Sequence, residues 1–260
     1  MMGPNATVAR LSFDITSDLV CSPVTHFILL DNVDHADLRV ALRGGAAFGD
    51  AVNQLLVMPF EFEQLQRDFP ILFRQGTDGQ NPWYAVVLTG FDHGENLFLH
   101  GDEWTTRAVP AVQRRGPFMS PPTAEDNRTL SVWIDMDDPR VGAEDGQPLY
   151  LRHGGATPYL RHVTNLLTAL QRGHAAAAVI YPALARHQLL KPVRIEAEIG
   201  DGLSYCIGDV FAIDDERLSA LDAAALHDLH ACGALRIAFM ASASLSNVAQ
   251  LIERKQRSLG

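Results

Sequence analysis

The sequence predicts an α+β protein, with an antiparallel N-terminal sheet arranged as a meander and a mixed, helix-rich C-terminal lobe. Short apolar runs of strand length alternate with turn residues before residue 155, and apolar positions repeat at helical spacing after it. The apolar share of 47% and the charged share of 20% are typical of a globular chain. We expect an arm at 1–25, a mostly β lobe at 26–155 and a helix-rich α+β lobe at 156–260, or one continuous domain over 26–260.

The N-terminal lobe is predicted from its apolar segments. HFILLDN and QLLVM have strand character. Residues 61–68 have the pattern of a short helix, which Pro70 ends because the residue before a proline resists helical backbone angles. PILFRQ and PWYAVVLTGF flank the turn GTDGQN, and NLFLH follows after a second short turn. These last three segments predict neighbouring strands of an antiparallel meander.

The C-terminal lobe is predicted to begin with an amphipathic helix. Its apolar positions share one face: Leu160, Val163, Leu166, Leu167 and Leu170. Gly173 is expected to end or weaken this helix, and Pro182 to kink or restart it. PVRIEAEIG and SYCIGDVFAID predict a hairpin around Asp201-Gly202. Two further helices follow, the second ending at Gly233, and residues 234–258 predict one terminal helix.

Charge and cysteine content restrict the classes of partner. A formal net charge of −10 disfavours nonspecific binding to nucleic acid and to anionic membranes, so we expect neither as a partner. Cys21, Cys206 and Cys232 are widely spaced without a CxxC motif, which indicates neither a disulfide framework nor a thiolate zinc site. We expect no secretory leader and no membrane span, and therefore a cytoplasmic protein. The oligomeric state stays open.

One short motif has the spacing of metal ligands. His100-Gly101-Asp102 spells HxD, the first two ligands of the triad that holds non-haem Fe(II). A third ligand would come from His153, His162 or His174. Because ten histidines make the motif common by chance and Gly-Asp favours a turn, a polar hairpin end is the favoured interpretation.

Aromatic and arginine side chains form the second candidate site. The aromatic residues gather around the predicted meander: Trp83, Tyr84, Phe91, Phe98 and Trp104. Core packing is the favoured role for most of them. Arg107, Arg114 and Arg115 follow closely and indicate a pocket for an anionic group or a peptide carboxylate. No GxSxG, GxxxxGK[ST] or GxGxxG motif is present, so the sequence favours a non-catalytic protein without a cofactor.

The order of these segments resembles the SapC-like family of bacterial proteins. The resemblance is carried by FPILF, VVLTGFDHGENLF, GDEW and VPAVQRRGPF, and it continues through LDNVDHADLRV upstream and SLSNVAQLIERK downstream. The matching positions are Pro70, Gly94, Glu95, Asn96, Leu97, Phe98, Trp104, Pro110, Arg114, Arg115, Pro117, Phe118 and Gly233. His93, His100 and Gly116 depart from the family pattern, so an HxD iron site is not part of it.

What the resemblance implies about function is an association rather than a mechanism. The family label derives from a surface-layer association, and family members often occur near genes for TonB-dependent receptors and tryptophan halogenases. We therefore predict an accessory protein that binds a peptide or a partner protein. The candidate binding residues are Glu95, Asn96, Trp104, Arg107, Arg114 and Arg115. The alternatives are an enzyme, such as an Fe(II) oxygenase using His100 and Asp102 or a hydrolase, and a surface-layer structural protein.

Overall fold

A computed structural model describes residues 26–76, 82–121, 130–199 and 203–259. The predicted arm at 1–25, most of the GTDGQN turn and the Asp201-Gly202 turn lie outside these residues. The strands are β1 (Phe27–Leu29), β2 (Arg39–Val40), β3 (Gln54–Val57), β4 (Ile71–Gln75), β5 (Trp83–Leu88), β6 (Leu99–His100), β7 (Glu103–Trp104), β8 (Phe118–Met119), β9 (Trp133–Asp135), β10 (Gln147–Pro148), β11 (Leu190–Ile199) and β12 (Leu203–Ile213). The helices are α1 (Phe62–Leu65), α2 (Ala111–Arg114), α3 (Pro158–Arg186), α4 (Asp215–Ser219), α5 (Ala223–Ala231), α6 (Ala234–Ser244) and α7 (Asn247–Leu259). The α+β class is confirmed.

The largest sheet has the strand order β11-β12-β4-β5-β3, and its pairs are antiparallel. β4 and β5 pair as predicted, with Ile71 opposite Val87. β12 joins β4 where Phe211 lies opposite Phe73. The sheet therefore combines strands from both sides of the predicted boundary near residue 155. Its main core likewise contains residues from both parts, such as Phe62 and Phe73 with Tyr181 and Ile237.

The prediction that NLFLH forms the third strand of the meander is wrong. β5 pairs instead with the upstream strand β3, and only Leu99–His100 of the segment is a strand. That strand, β6, forms a separate hairpin with β7. The side chain of Asn96 bends the chain beforehand, because its Oδ1 accepts the backbone N–H of Phe98 at 3.0 Å. The segment thus leaves the sheet and buries Phe98 in the core.

Helix α3 is continuous over Pro158–Arg186, so of the predicted alternatives neither a stop at Gly173 nor a restart at Pro182 occurs. Gly173 is buried, and a Cβ built there would lie 2.7 Å from Cβ of Met58. Close packing against Met58 and Phe60 therefore explains the glycine, and tertiary contacts override its low helix propensity. The first half of α3 packs through Leu160, Val163 and Leu167 on a second core around Phe118 and Ile134. Its second half packs on the main core.

The predicted terminal helix is two helices, α6 and α7, separated near Leu245-Ser246. Side-chain hydrogen bonds to the sheet region hold the break in place. Ser244 Oγ accepts the backbone N–H of Ile71 at 2.9 Å, and Asn247 Nδ2 donates to Gln66 O at 2.8 Å. Gly233 ends α5 with φ +80°, as predicted. Within the described residues, Ala234–Leu259 is the one helical stretch long and apolar enough to cross a membrane by length and composition alone.

Candidate functional site

The turn at Asp92–Glu95 is fastened to α7 by a charged cluster. Glu95 Oε2 accepts the backbone N–H of Phe91 at 2.8 Å, which closes the turn, while Gly94 takes a positive φ of +79°. Lys255 Nζ lies 2.6 Å from Glu95 Oε1 and 2.6 Å from Asp92 Oδ2. The side chains of Lys255 and Glu95 are 5% and 18% exposed, whereas that of Asp92 is 55% exposed, so the Lys255–Glu95 pair is the part withdrawn from water.

The environment of Lys255 keeps it charged. Burial alone would lower the pKa of its ammonium group, but hydrogen bonds to Asp92 and Glu95 outweigh burial and raise the pKa above its ordinary value. Its Nζ also lies 4.9 Å from the centre of the Tyr205 ring. Glu95 is therefore committed to holding α7 and the turn together.

The preceding residue of α7, Arg254, contacts residues on both sides of the β6–β7 hairpin that carries Trp104. The Arg254 guanidinium lies over the Phe98 ring at 4.4 Å, and its Nη1 reaches Thr105 Oγ1 at 3.3 Å. Phe98 packs on Phe69, and Trp104 meets Phe69 edge-on at 6.4 Å. Trp104 is partly buried on this stack, so one part of the indole packs and the remainder stays accessible.

Both polar atoms of the Asn96 side-chain amide form hydrogen bonds with the backbone. Its Nδ2 donates to Asp50 O at 2.7 Å, and its Oδ1 accepts from Phe98 as described above. These bonds join the residues just before β3 to the segment that follows β5. The structure therefore places Asn96 where it orients the chain, with its amide already occupied.

The segment from Trp104 to Arg115 has an apolar side that packs and a cationic side that faces solvent. Ala108, Ala111 and Val112 contact the main core. Arg107 and Arg114 are exposed, and neither forms an ion pair with a residue that the structure describes. The backbone N–H of Arg107 donates to Asp68 Oδ2 at 3.3 Å, which fixes the middle of the segment.

A buried carboxylate holds the start of α2. Glu61 is 5% exposed, and its Oε1 accepts the backbone N–H of Ala111 at 2.6 Å while its Oε2 accepts that of Met58 at 2.9 Å. Burial raises the pKa of Glu61, and the two backbone hydrogen bonds and the charge of Arg114 counteract that rise. Glu61 thus positions the helix turn that carries Arg114.

Arg115 points inward, unlike its neighbour Arg114. Its Nη1 donates to Phe118 O at 2.8 Å. Burial lowers the pKa of Arg115, and the charge of Arg140 lowers it further. The arginine pair of the sequence is therefore divided, because Arg114 faces solvent beside Glu61 and Arg115 lies beside Arg140.

The HxD residues occupy different parts of a tight hairpin. His100 ends β6, Asp102 lies in the two-residue turn, and Gly101 between them has a φ of +62°. Asp102 also packs against Gly45, where a Cβ would lie 2.3 Å from Asp102 Oδ1. Among the residues that the structure describes, no group of three or more His, Cys, Asp or Glu side chains is placed to hold a metal ion.

Comparison with protein families gives one match for this chain. A family model for SapC matches residues 30–251, most of the chain. The chain belongs to the SapC family. No curated protein and no solved structure gave a match. The SapC match spans the Asp92–Glu95 turn, the Trp104–Arg115 segment and most of the C-terminal helices.

Several residues that build this site were not singled out from the sequence as site residues, and the last two of them follow the matched range. They are Glu61, Asp92, Arg140, Arg254 and Lys255. Glu61 reads as an ordinary polar residue of a short helix, and its burial depends on α2 folding back from 50 residues downstream. Lys255 does carry a signal, since it lies four residues after the buried Leu251 on one face of α7.

Proposed function

We propose that the protein is a binding protein that recognises a peptide or a partner protein through the surface formed by Trp104, Arg107 and Arg114, here called the Trp104–Arg114 surface. The observation that carries the proposal is that two exposed arginines without ion pairs among the described residues follow the partly buried Trp104 in one segment, on a chain of net charge −10. Exposed arginines without ion pairs also occur elsewhere among the described residues, for example Arg67, Arg152 and Arg172, so the distinguishing feature here is the tryptophan in the same segment.

The chemistry of this surface favours an acidic or carboxylate-bearing peptide. Arginine presents a planar fork of donors that matches a carboxylate, and arginine and tryptophan are enriched where proteins bind one another. Trp104 adds a partly buried ring whose inner part is held by Phe69. A fixed aromatic ring loses little entropy on binding, so it contributes effectively to affinity.

The backbone of this surface is held in place before any partner binds. Glu61 accepts from Ala111, Asp68 accepts from Arg107, and Thr105 N–H donates to Phe98 O at 2.8 Å. Such preorganisation lowers the entropy lost on association. Family resemblance adds two classes of candidate partner, namely TonB-dependent receptors and tryptophan halogenases, and a cytoplasmic location would favour the second.

A peptide array tests the proposal directly. Acidic and neutral hexapeptides are immobilised through their N-termini and probed with the full chain, with Trp104→Ala, with Arg114→Ala and with Arg236→Ala. Arg236 is an exposed arginine on α6 paired with Glu63, so it is a matched control for general charge. We expect a subset of acidic peptides to retain the wild type and the control but not the other two variants. Absence of retention, or equal retention by all four proteins, would overturn the proposal.

A further inference from the structure

A second group of hydrogen-bond donors lies where α2 ends, around Phe118. Arg115 Nη1 reaches Phe118 O at 2.8 Å, and the Phe118 ring meets Tyr159 edge-on at 6.1 Å. Arg140 acts electrostatically on both Arg115 and Tyr159, which places it in the same neighbourhood. The cluster thus joins the end of α2, the loop after β9 and the first turn of α3.

Arg140 is only partly used by its own carboxylate partner. Its Nε lies 2.9 Å from Asp138 Oδ1 and its Nη2 lies 2.6 Å from Asp138 Oδ2, a bidentate pair. Its guanidinium is stacked over the Phe48 ring at 5.4 Å, which fixes its plane. The remaining Nη1 faces Gly116, because a Cβ built on that glycine would lie 3.8 Å from it.

Several donors of the cluster have no acceptor among the described residues. They are Nε and Nη2 of Arg115, Nη1 of Arg140 and the hydroxyl of Tyr159. Within the described part of the chain, the side-chain atoms that are both sealed from solvent and without a partner are Trp133 Nε1 and Arg254 Nε. The free donors of the cluster are not among these sealed atoms, so each keeps some contact with solvent, which a ligand site requires.

The cluster also carries excess positive charge. Two guanidinium groups face one carboxylate, that of Asp138, and Asp138 is already paired with Arg140. Burial raises the pKa of Tyr159 to about 12, with Arg140 opposing and Asp138 adding to the rise, so the hydroxyl is a neutral donor at physiological pH. An anion bound between the guanidiniums would relieve the repulsion and satisfy the free donors.

We propose that Arg115 and Arg140 bind an oxyanion, and that this anion is the C-terminal carboxylate of the bound peptide. The two oxygens of a carboxylate match the Nε–Nη2 edge of Arg115 that is left after Nη1 donates to Phe118. The identity of the anion rests on the proposed function, since it makes this cluster, which begins one residue after Arg114, the site that recognises the end of the peptide. Inorganic phosphate offers the same oxyanion chemistry and is the second source to test.

The oxyanion site is tested on the wild-type protein without any variant. The side-chain Nε–Hε resonances of Arg115 and Arg140 are followed by NMR during titration with acetate or phosphate, at constant ionic strength set with chloride. Arg194, whose side chain is 69% exposed, is the control for nonspecific charge screening. We expect saturable shifts for Arg115 and Arg140 and none for Arg194. Equal, non-saturating shifts for all three arginines would overturn the site.

A peptide pair tests the identity of the anion. One array-selected peptide is made with a free C-terminal carboxylate and as its amide, and both are titrated against wild type, Arg115→Gln and Arg114→Gln. We expect the free acid to bind the wild type about tenfold more tightly, a preference of about 1.4 kcal/mol, as a charged hydrogen bond predicts. Arg115→Gln should abolish that preference, and Arg114→Gln should weaken both peptides while keeping it.

The outcomes separate this inference from the proposed function. Peptides that bind with no preference for the free acid overturn the carboxylate assignment and leave the proposed function standing. Saturable shifts with phosphate alone, with no peptide binding, overturn the proposed function and assign the site to phosphate. If Arg115→Gln does not fold, the Nε–Hε resonances of wild-type Arg115 and Arg140 are followed with the free-acid peptide and with its amide, and equal shifts with the two peptides contradict the inference.

Discussion

Lys255 Nζ lies 2.6 Å from Glu95 Oε1 and joins residues 160 positions apart in the sequence. This bond holds the last helix of the chain on the turn that precedes Phe98 and Trp104. Arg254 contacts Phe98 and Thr105 from the adjacent position of α7. The segment that leads into the Trp104–Arg114 surface is therefore held by α7, a helix far from it in the sequence.

Replacing Glu95 with Gln should destabilise the protein. The variant removes the partly buried partner of Lys255 and one acceptor of the turn, and Asp92, which is half exposed, compensates only in part. Breaking a buried ion pair costs about 3–5 kcal/mol when no partner is left, so we expect a loss of about 2–3 kcal/mol here. Urea unfolding followed by circular dichroism measures the change in the free energy of unfolding.

The matched control for that variant is Glu253→Gln on the same helix. Glu253 and Arg257 form an exposed pair at 3.8 Å, and such pairs contribute less than about 1 kcal/mol.

Because the pKa of Lys255 is raised in the folded protein, its stabilising contribution is present below the unfolded pKa of about 10.4 and is lost as the pH rises through the folded value. Equal effects of Glu95→Gln and Glu253→Gln at neutral pH would contradict this account.

Because of Glu61, the free energy of unfolding should depend on pH with a sign opposite to that given by a carboxylate paired at the surface. Burial raises its pKa in the folded protein, so its stabilising contribution is present below the unfolded pKa of about 4.3 and is lost as the pH rises through the folded value. The destabilisation caused by Glu61→Gln should therefore be larger near pH 4.5, close to the unfolded pKa, than near pH 7, well above it. Chemical unfolding of both proteins at the two pH values checks the sign, and a larger difference at the higher pH would refute it.

Gly173→Ala should destabilise the protein, although alanine is the better helix former. A Cβ there would lie 2.7 Å from Met58 Cβ and 3.0 Å from the Phe60 ring. Overpacking of this kind costs about 1–3 kcal/mol, which exceeds the gain of about 1 kcal/mol in helix propensity. Gly208→Ala is the control, because open space surrounds that glycine and its φ is not positive. A higher melting temperature for Gly173→Ala would show that α3 does not pack on Met58 as described.

Local patterns predicted many elements of the fold, and long-range contacts decided the rest. The β4–β5 pair, the first part of α3 and the helix end at Gly233 follow from apolar periodicity and turn residues. The continuity of α3 does not, because Met58 lies more than 100 residues before Gly173 and supplies the packing that overrides propensity. NLFLH has strand composition, yet β3 already occupies the free edge of β5.

The candidate site shows the same limit. Trp104, Arg107, Arg114 and Arg115 were singled out by composition, and their exposure could not be read from it. Whether an arginine faces solvent depends on the helical turn of α2, whose start is set by the distant Glu61. Arg140 escaped notice because its approach to Arg115 joins two loops separated by β8 and β9.

The most direct test of the central claim is the affinity of one array-selected acidic peptide, measured by isothermal titration calorimetry. The titration compares wild type, Arg114→Ala and the control Arg236→Ala under the same salt conditions. We predict that Arg114→Ala weakens binding about tenfold or more, since arginine is a frequent hot-spot residue. Arg236→Ala should bind like wild type. Equal affinities for wild type and Arg114→Ala would contradict recognition through the Trp104–Arg114 surface.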